Sequence, residues 1–212
     1  MRLTLASTSP SRLGLLRMAG IEPVVVAPEV DEEAVAAAAG VDGDPRALVE
    51  LLANAKADAV HRALGAGSES TGSAIDAGLI LGCDSVFEQG GMIYGKPHHA
   101  VVATARWRQM RGCVGVLHTG HCLIDAASGQ RRTSVVSTEV EFADVSDEEI
   151  DWYVATGEPL PVAGAFTLEG LAAPFVTRID GDPHSVVGLS LASLRTLALS
   201  LGIPWPALIS PA

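Results

Sequence analysis

The chain has 212 residues, 48% hydrophobic and 18% charged, with a formal net charge of −11; this suits one packed α/β domain over residues 1–212 and argues against disorder. An acidic surface repels a phosphate backbone, so a nucleic-acid polymer is not the expected partner, whereas a single nucleotide needs only a local basic pocket or a bridging divalent metal. Three cysteines without a CxxC, an N-terminal apolar run broken at Pro10, and no apolar stretch near the roughly 20 residues of a membrane span make a cytoplasmic protein the expectation, with no membrane partner.

Residues 2–6 read as a short strand. Ser9 followed by Pro10 is an N-cap with proline in the first turn, and Gly20 is a stop, so strand, turn and helix fall within the first twenty residues. The hydroxyl-rich turn between them opens a helix N-terminus, where free N–H groups and the helix dipole favour anions. Residues 22–26 form a second β-rich segment, ending in an acidic turn through Glu29, Asp31, Glu32 and Glu33. A long helix is predicted from Asp44 to about Leu64, with Leu48, Leu51, Leu52, Ala55 and Ala59 on its apolar face. Residues 65–78, rich in Gly, Ser and Ala, read as a loop. Residues 79–83 are a compact apolar strand with Asp84 at its end. A hairpin is predicted around Gln89-Gly90-Gly91, then a helix over 99–110 and a second hairpin from 115–125 and 132–142. Ser146 and Glu149 make a capping box before Ile150, and a last helix is predicted over about 188–201. Aromatics are only 4% of the chain, so the core is expected to be of small aliphatic side chains.

Three basic residues and three acidic ones stand at turns, element ends or within the second helix: Arg12, Lys56 and Lys96, with Glu32, Asp84 and Glu169. Phosphoryl-type transfer uses both kinds, cations and metal to neutralise phosphate oxygens and a carboxylate to hold metal or take a proton from water. Gly90 to Lys96 has the spacing GxxxxGK of a phosphate loop, but Pro97 follows where a hydroxyl is required, so the motif is rejected and Lys96 kept as a phosphate contact. His118 and His121 lie in a predicted strand at odd spacing and read as structural or surface residues, not as zinc ligands. Trp107, Trp152 and Tyr153 read as packing residues. Ser7 and Ser9 have no detectable His–Asp partner and suit capping or phosphate hydrogen bonding better than nucleophilic attack.

LASTSPSRLGLL at the N-terminus resembles the opening motif of the Maf family. Matches follow in order: VDE at 30–32, LANAKA at 52–57, GCDSV at 82–86, GKP at 95–97, HTG at 118–120, TGEP at 156–159, AGAFTLEG at 163–170 and VVGLS at 186–190. The similarity runs over nearly the whole chain and is strongest to actinobacterial members. It implies an α/β fold related to inosine triphosphatases, with an extended mixed sheet flanked by helices and two lobes around a cleft. It further implies a homodimer and a magnesium- or manganese-dependent hydrolysis of nucleoside triphosphates to monophosphate and pyrophosphate.

Position by position, the resemblance makes Asp84 the proton acceptor, with Glu32 and Asp84 near the metal. Ser7, Ser9, Arg12, Lys56 and Lys96 become substrate-binding residues. Base choice falls to Ser11, Ser85 and Glu169, where the dTTP/UTP-preferring branch carries arginine, threonine and glutamine. An ionised glutamate only accepts hydrogen bonds, so Glu169 favours a donor-rich base edge, as in the 7-methyl-GTP branch. Two other readings stand beside this one: a non-catalytic nucleotide-binding regulator of septum formation, and a hydrolase acting on another small molecule. The presence of Asp84, Lys56 and Lys96 argues against the regulator.

Overall fold

The computed structural model of the chain describes residues 1–41, 43–71 and 78–210. Among the described residues it has seven strands, β1 (Leu3–Ala6), β2 (Val24–Val25), β3 (Leu79–Gln89), β4 (Met92–Tyr94), β5 (Val114–Asp125), β6 (Arg131–Phe142) and β7 (Val176–Asp180). Its helices are α1 (Pro10–Met18), α2 (Glu32–Ala39), α3 (Pro45–Thr71), α4 (Ala100–Met110), α5 (Asp147–Ala155), α6 (Pro183–Val187) and α7 (Leu191–Ser200). The strands form one mixed sheet in the order β2-β1-β3-β5-β6-β7, with β4 also on β3. β1 runs parallel to β2 and β3, whereas β4 is antiparallel to β3 and β7 to β6. No helix among the described residues is long and apolar enough to cross a membrane.

The chain divides into two units: Met1–Asp84 with Thr119–Val135 and Gly188–Ala212, and Ser85–His118 with Val136–Val187. In the first, local signals act as the sequence predicts. Ser9 caps α1 through its hydroxyl, which accepts from the Arg12 N–H at 3.4 Å, and Pro10 occupies the first turn. The acidic segment is not only a turn: Asp31 caps α2 by accepting from the Ala34 N–H at 3.0 Å, and Glu32 and Glu33 fill its first turn, where the dipole favours negative charge. Helix α3 extends through residues 65–71, which the sequence reading assigned to a loop; residues 72–77 of that segment lie outside the described ones.

The inward face of α3 is also rotated by one position. Val49, Leu52, Ala53, Lys56, Ala57 and Val60 are buried, whereas Leu48, Leu51, Ala55 and Ala59 are only half-buried. The surface that receives the helix is glycine: a Cβ on Gly82 would sit 2.2 Å from the Ala53 carbonyl oxygen, and one on Gly120 2.2 Å from that of Val49. Small residues are therefore selected for the contact, and Leu48 and Leu51 are turned partly outward. Ala6, Ala53, Ala57, Val60, Ile80, Cys122 and Ile124 form this small-residue core.

The second unit departs from the expected aliphatic core. Phe87, Trp107, Phe142, Tyr153, Phe166 and Phe175 pack edge to face, with Trp107–Tyr153 centroids at 5.4 Å and Phe142–Phe166 at 5.0 Å. Such tilted pairs match the positive ring edge to the negative ring face. The few aromatics are thus concentrated instead of spread. Trp107 also donates its indole N–H to the Ala165 carbonyl at 2.7 Å, and Trp152, 53% exposed, packs edge-on against Phe175. The predicted capping box is present: Ser146 Oγ accepts from the Glu149 N–H, and Glu149 accepts from the Ser146 N–H at 2.7 Å.

Candidate active site

Asp84 does not end its strand, as the sequence reading had it; β3 runs on to Gln89. Its environment is set by parallel pairing. Ala6 of β1 is in register with Gly82 of β3, so the chain leaves β1 into the turn 7–12 at the level where β3 reaches Cys83 and Asp84. A strand delivering a helix N-terminus beside a second parallel strand is an arrangement that α/β proteins use for anionic ligands.

That turn is internally bonded. Arg12 is buried, and its Nε donates to the Gly188 carbonyl at 2.8 Å while Nη1 donates to Ser7 Oγ at 3.2 Å. Ser7 Oγ also accepts from the Ser9 N–H at 3.2 Å. With both lone pairs occupied, the Ser7 hydroxyl has its proton left to donate, which suits a phosphate oxygen. Gly188 belongs to the turn before α7, and the neighbouring Ser190 N–H donates to His121 Nε2 at 2.9 Å. That bond fixes the fully buried His121 as the Nδ1–H tautomer and secures the turn that holds Arg12.

Asp84 is 7% exposed and Lys56 6%. Lys56 Nζ donates to Asp84 Oδ1 at 2.5 Å and lies 2.9 Å from Glu32 Oε1. One ammonium from α3 thus joins a carboxylate of β3 to one at the start of α2. Burial pushes the Asp84 pKa up, and the neighbouring Lys56 and Arg12 cations only partly offset this. Burial likewise pushes the adjacent Cys83 thiol up to about 11, so that side chain stays neutral. The Glu32 carboxylate is half exposed and faces solvent as well as Lys56.

The structure therefore brings Glu32, Lys56 and Asp84 into one ion-pair group, with Ser7, Ser9 and Arg12 in the adjoining turn. Ser11 is the second residue of α1 and is half-buried. Ser85, Lys96 and Glu169 belong to the second unit and are not members of that ion-pair group. Lys96 is exposed in the turn after β4; Arg106 of α4 donates to the Gly95 carbonyl at 2.5 Å and lies over the Tyr94 ring at 4.8 Å, bracing that turn. Gly90 and Gly91 form the β3–β4 turn, so the rejected phosphate-loop spacing is a hairpin. His118 is buried in the second unit, bonded through Nδ1 to Ser137 Oγ at 2.9 Å. No group of three or more His, Cys, Asp or Glu side chains gathers as a metal site among the described residues. Sequence reasoning missed His121 and Gly188 as supports of Arg12, because neither pairing is visible without the fold.

A family model described as Maf-like protein matches residues 2–200. The chain is 53% identical over 211 residues to a nucleoside triphosphate pyrophosphatase of Leifsonia xyli subsp. xyli, covering 97% of this chain and 95% of the relative. A nucleoside triphosphate pyrophosphatase of Salinispora tropica is 51% identical over 204 residues, covering 96% and 85%. One of Streptomyces coelicolor is 49% identical over 211 residues, covering 100% and 96%.

Proposed function

The chain belongs to the Maf family, and from that premise we propose that it is a nucleoside triphosphate pyrophosphatase, hydrolysing (d)NTPs to monophosphate and pyrophosphate, with Asp84 as proton acceptor. The observation that carries the proposal is the buried Asp84 carboxylate held at 2.5 Å by Lys56, beside the Ser7–Arg12 hydroxyl and guanidinium pair. A base works best when its pKa lies nearer the working pH than that of an ordinary aspartate, and burial moves Asp84 in that direction.

In this reading Asp84 takes a proton from an attacking water as the new O–P bond forms. The phosphoanhydride bond at the α–β junction breaks, and pyrophosphate leaves with the electron pair. Arg12, Ser7, Ser9 and Lys56 grip and neutralise the phosphate oxygens; without them a polyanion would meet a chain of net charge −11. Lys96 as a further phosphate contact, and Ser11, Ser85 and Glu169 as base-choosing residues, are assigned on the family resemblance.

The residues also suit a divalent ion. Lys56 engages one oxygen each of Asp84 and Glu32, and two carboxylates completed by substrate phosphates and water are the usual hard-oxygen donor set for magnesium or manganese. Glu32 and Asp84 would hold it, and the ion would supply charge neutralisation of the phosphates. A homodimer accompanies this reading on the same resemblance, and a cytoplasmic location on the three cysteines without a CxxC.

The test is pyrophosphate release from a panel of natural and methylated NTPs with magnesium or manganese, wild type beside Asp84→Asn. Metal-dependent release lost by at least about 10²-fold in the variant supports the assignment, that being the lower range of general-base contributions. Tight nucleotide binding without release from any NTP would move the reading to a non-catalytic regulator.

A further inference from the structure

In the second unit one carboxylate organises a loop. Glu158 Oε1 accepts from Thr167 Oγ1 at 2.5 Å, from the Leu171 N–H at 2.9 Å and from the Tyr153 hydroxyl at 3.1 Å; Oε2 accepts from the Leu171 N–H at 3.1 Å. Tyr153 is fully buried in α5, so the carboxylate is referenced to the core. Thr167 and Leu171 lie on either side of Glu169, which is exposed. The loop is therefore wrapped around the Glu158 carboxylate with Glu169 at its outer side.

Gly170 completes the wrap. A Cβ there would meet Thr167 Oγ1 at 2.3 Å and Glu158 Oε1 at 2.6 Å, so a side chain at 170 would displace the two groups that make the Thr167–Glu158 bond. Burial raises the Glu158 pKa, but the bonds from Thr167, Leu171, Tyr153 and Ala172 outweigh it and hold the carboxyl below its ordinary range. The donors thus act on an ionised acceptor, which strengthens each bond. The same segment reaches the lysine turn: the Leu160 carbonyl accepts from the His98 N–H at 3.1 Å, two residues beyond Lys96. His98 takes φ +58 there, a left-handed conformation that a non-glycine residue holds only when its surroundings impose it.

We propose that Glu158 is a positioning residue for base selection: it holds the loop 167–171 in the conformation that presents Glu169 to the nucleobase. The inference rests on the reading of Glu169 as a base-choosing residue. It predicts that loosening the loop changes which NTP is preferred, not how fast a bound NTP is cut.

Pyrophosphate release is measured with purine and pyrimidine NTPs, giving kcat and KM separately for wild type, Glu169→Gln, Glu158→Gln, Thr167→Val and Thr167→Ser. Glu158→Gln and Thr167→Val should raise KM for the preferred NTP about tenfold, the effect of one weakened hydrogen bond to a charged group, with kcat within about twofold. Both should flatten the base ratios in kcat/KM, and Thr167→Ser, which keeps the hydroxyl, should restore them. A folded Glu158→Gln enzyme with wild-type base ratios overturns the proposal. An equal loss of kcat on every NTP, the mark of a purely structural residue, overturns it too. If Glu158→Gln fails to fold, Thr167→Val decides between the same outcomes. Base ratios unchanged in Glu169→Gln would instead remove the reading beneath it, so the two failures are told apart.

Discussion

A Cβ on Gly82 would lie 2.2 Å from the carbonyl oxygen of Ala53, so β3 and α3 meet backbone to backbone. This approach sets the reach of the ion pair two residues further along the strand. Gly82 and Asp84 share a strand face, and Ala53 and Lys56 share a helix face. The glycine contact therefore fixes the separation across which Lys56 Nζ meets Asp84 Oδ1 at 2.5 Å.

Gly82→Ala should push the helix off the strand. The expected cost is about 1–3 kcal/mol from overpacking, which lowers the melting temperature by several degrees. Because the displacement falls beside the ion pair, kcat should fall as well. Gly120→Ala, which would meet the Val49 carbonyl at 2.2 Å, should cost similar stability with a smaller loss of kcat. Thermal unfolding and steady-state kinetics on the two variants separate packing from catalysis.

Lys56→Met removes the cation that offsets burial at Asp84. A carboxylate that loses a neighbouring positive charge holds its proton more tightly, so its pKa rises further above that of an ordinary aspartate. The acid limb of the kcat–pH profile should move to higher pH, and pyrophosphate release at neutral pH should drop. The linkage has a definite sign. In wild type the folded pKa of Asp84 lies above the unfolded one, so between them the folded state binds more protons and stability falls as pH rises. Unfolding at a series of pH values should show that decline flattened in Asp84→Asn.

Gly188→Ala should weaken the grip on Arg12. Its backbone has φ +118, and an added Cβ would stand 3.3 Å from Arg12 Nε. The expected outcome is a raised KM for NTPs and a lower melting temperature. His121→Phe, which leaves the Ser190 N–H without its acceptor, should act on the same turn and cost about 1–3 kcal/mol, the penalty for a buried unsatisfied donor. Kinetics on His121→Phe should show KM moving more than kcat.

Glu158 gives the opposite pH sign to Asp84. Its folded pKa is depressed, so its contribution to stability is present above the unfolded value and is lost as pH falls through the folded one. Protection of the Leu171 amide against hydrogen exchange, corrected for the intrinsic rate, should be lost over that acid window in wild type. Glu158→Gln should show no such step.

What the sequence determined by itself was local. Ser9 with Pro10 and the Ser146–Glu149 box mark helix starts because capping satisfies orphan N–H groups within a single turn. Gly90-Gly91 marks a hairpin for an equally short-range reason, and the Maf resemblance, carried by short motifs along the chain, is borne out by the family match over residues 2–200. Helix α2 was missed although Asp31 is a competent cap, because a run of acids followed by alanines carries little hydrophobic periodicity. Only the tertiary structure decided the face of α3, since apolar size favours Leu48 and Leu51 and it is the glycines of β3 and β5, remote in sequence, that bring Val49, Ala53 and Ala57 inward instead. It alone placed Lys56 between Glu32 and Asp84, Gly188 on Arg12, and Glu158 within the loop that carries Glu169. Each of these pairings joins groups at least nine residues apart in the chain, up to the 176 that separate Arg12 from Gly188, and a one-dimensional pattern holds no term for the packing that brings them together.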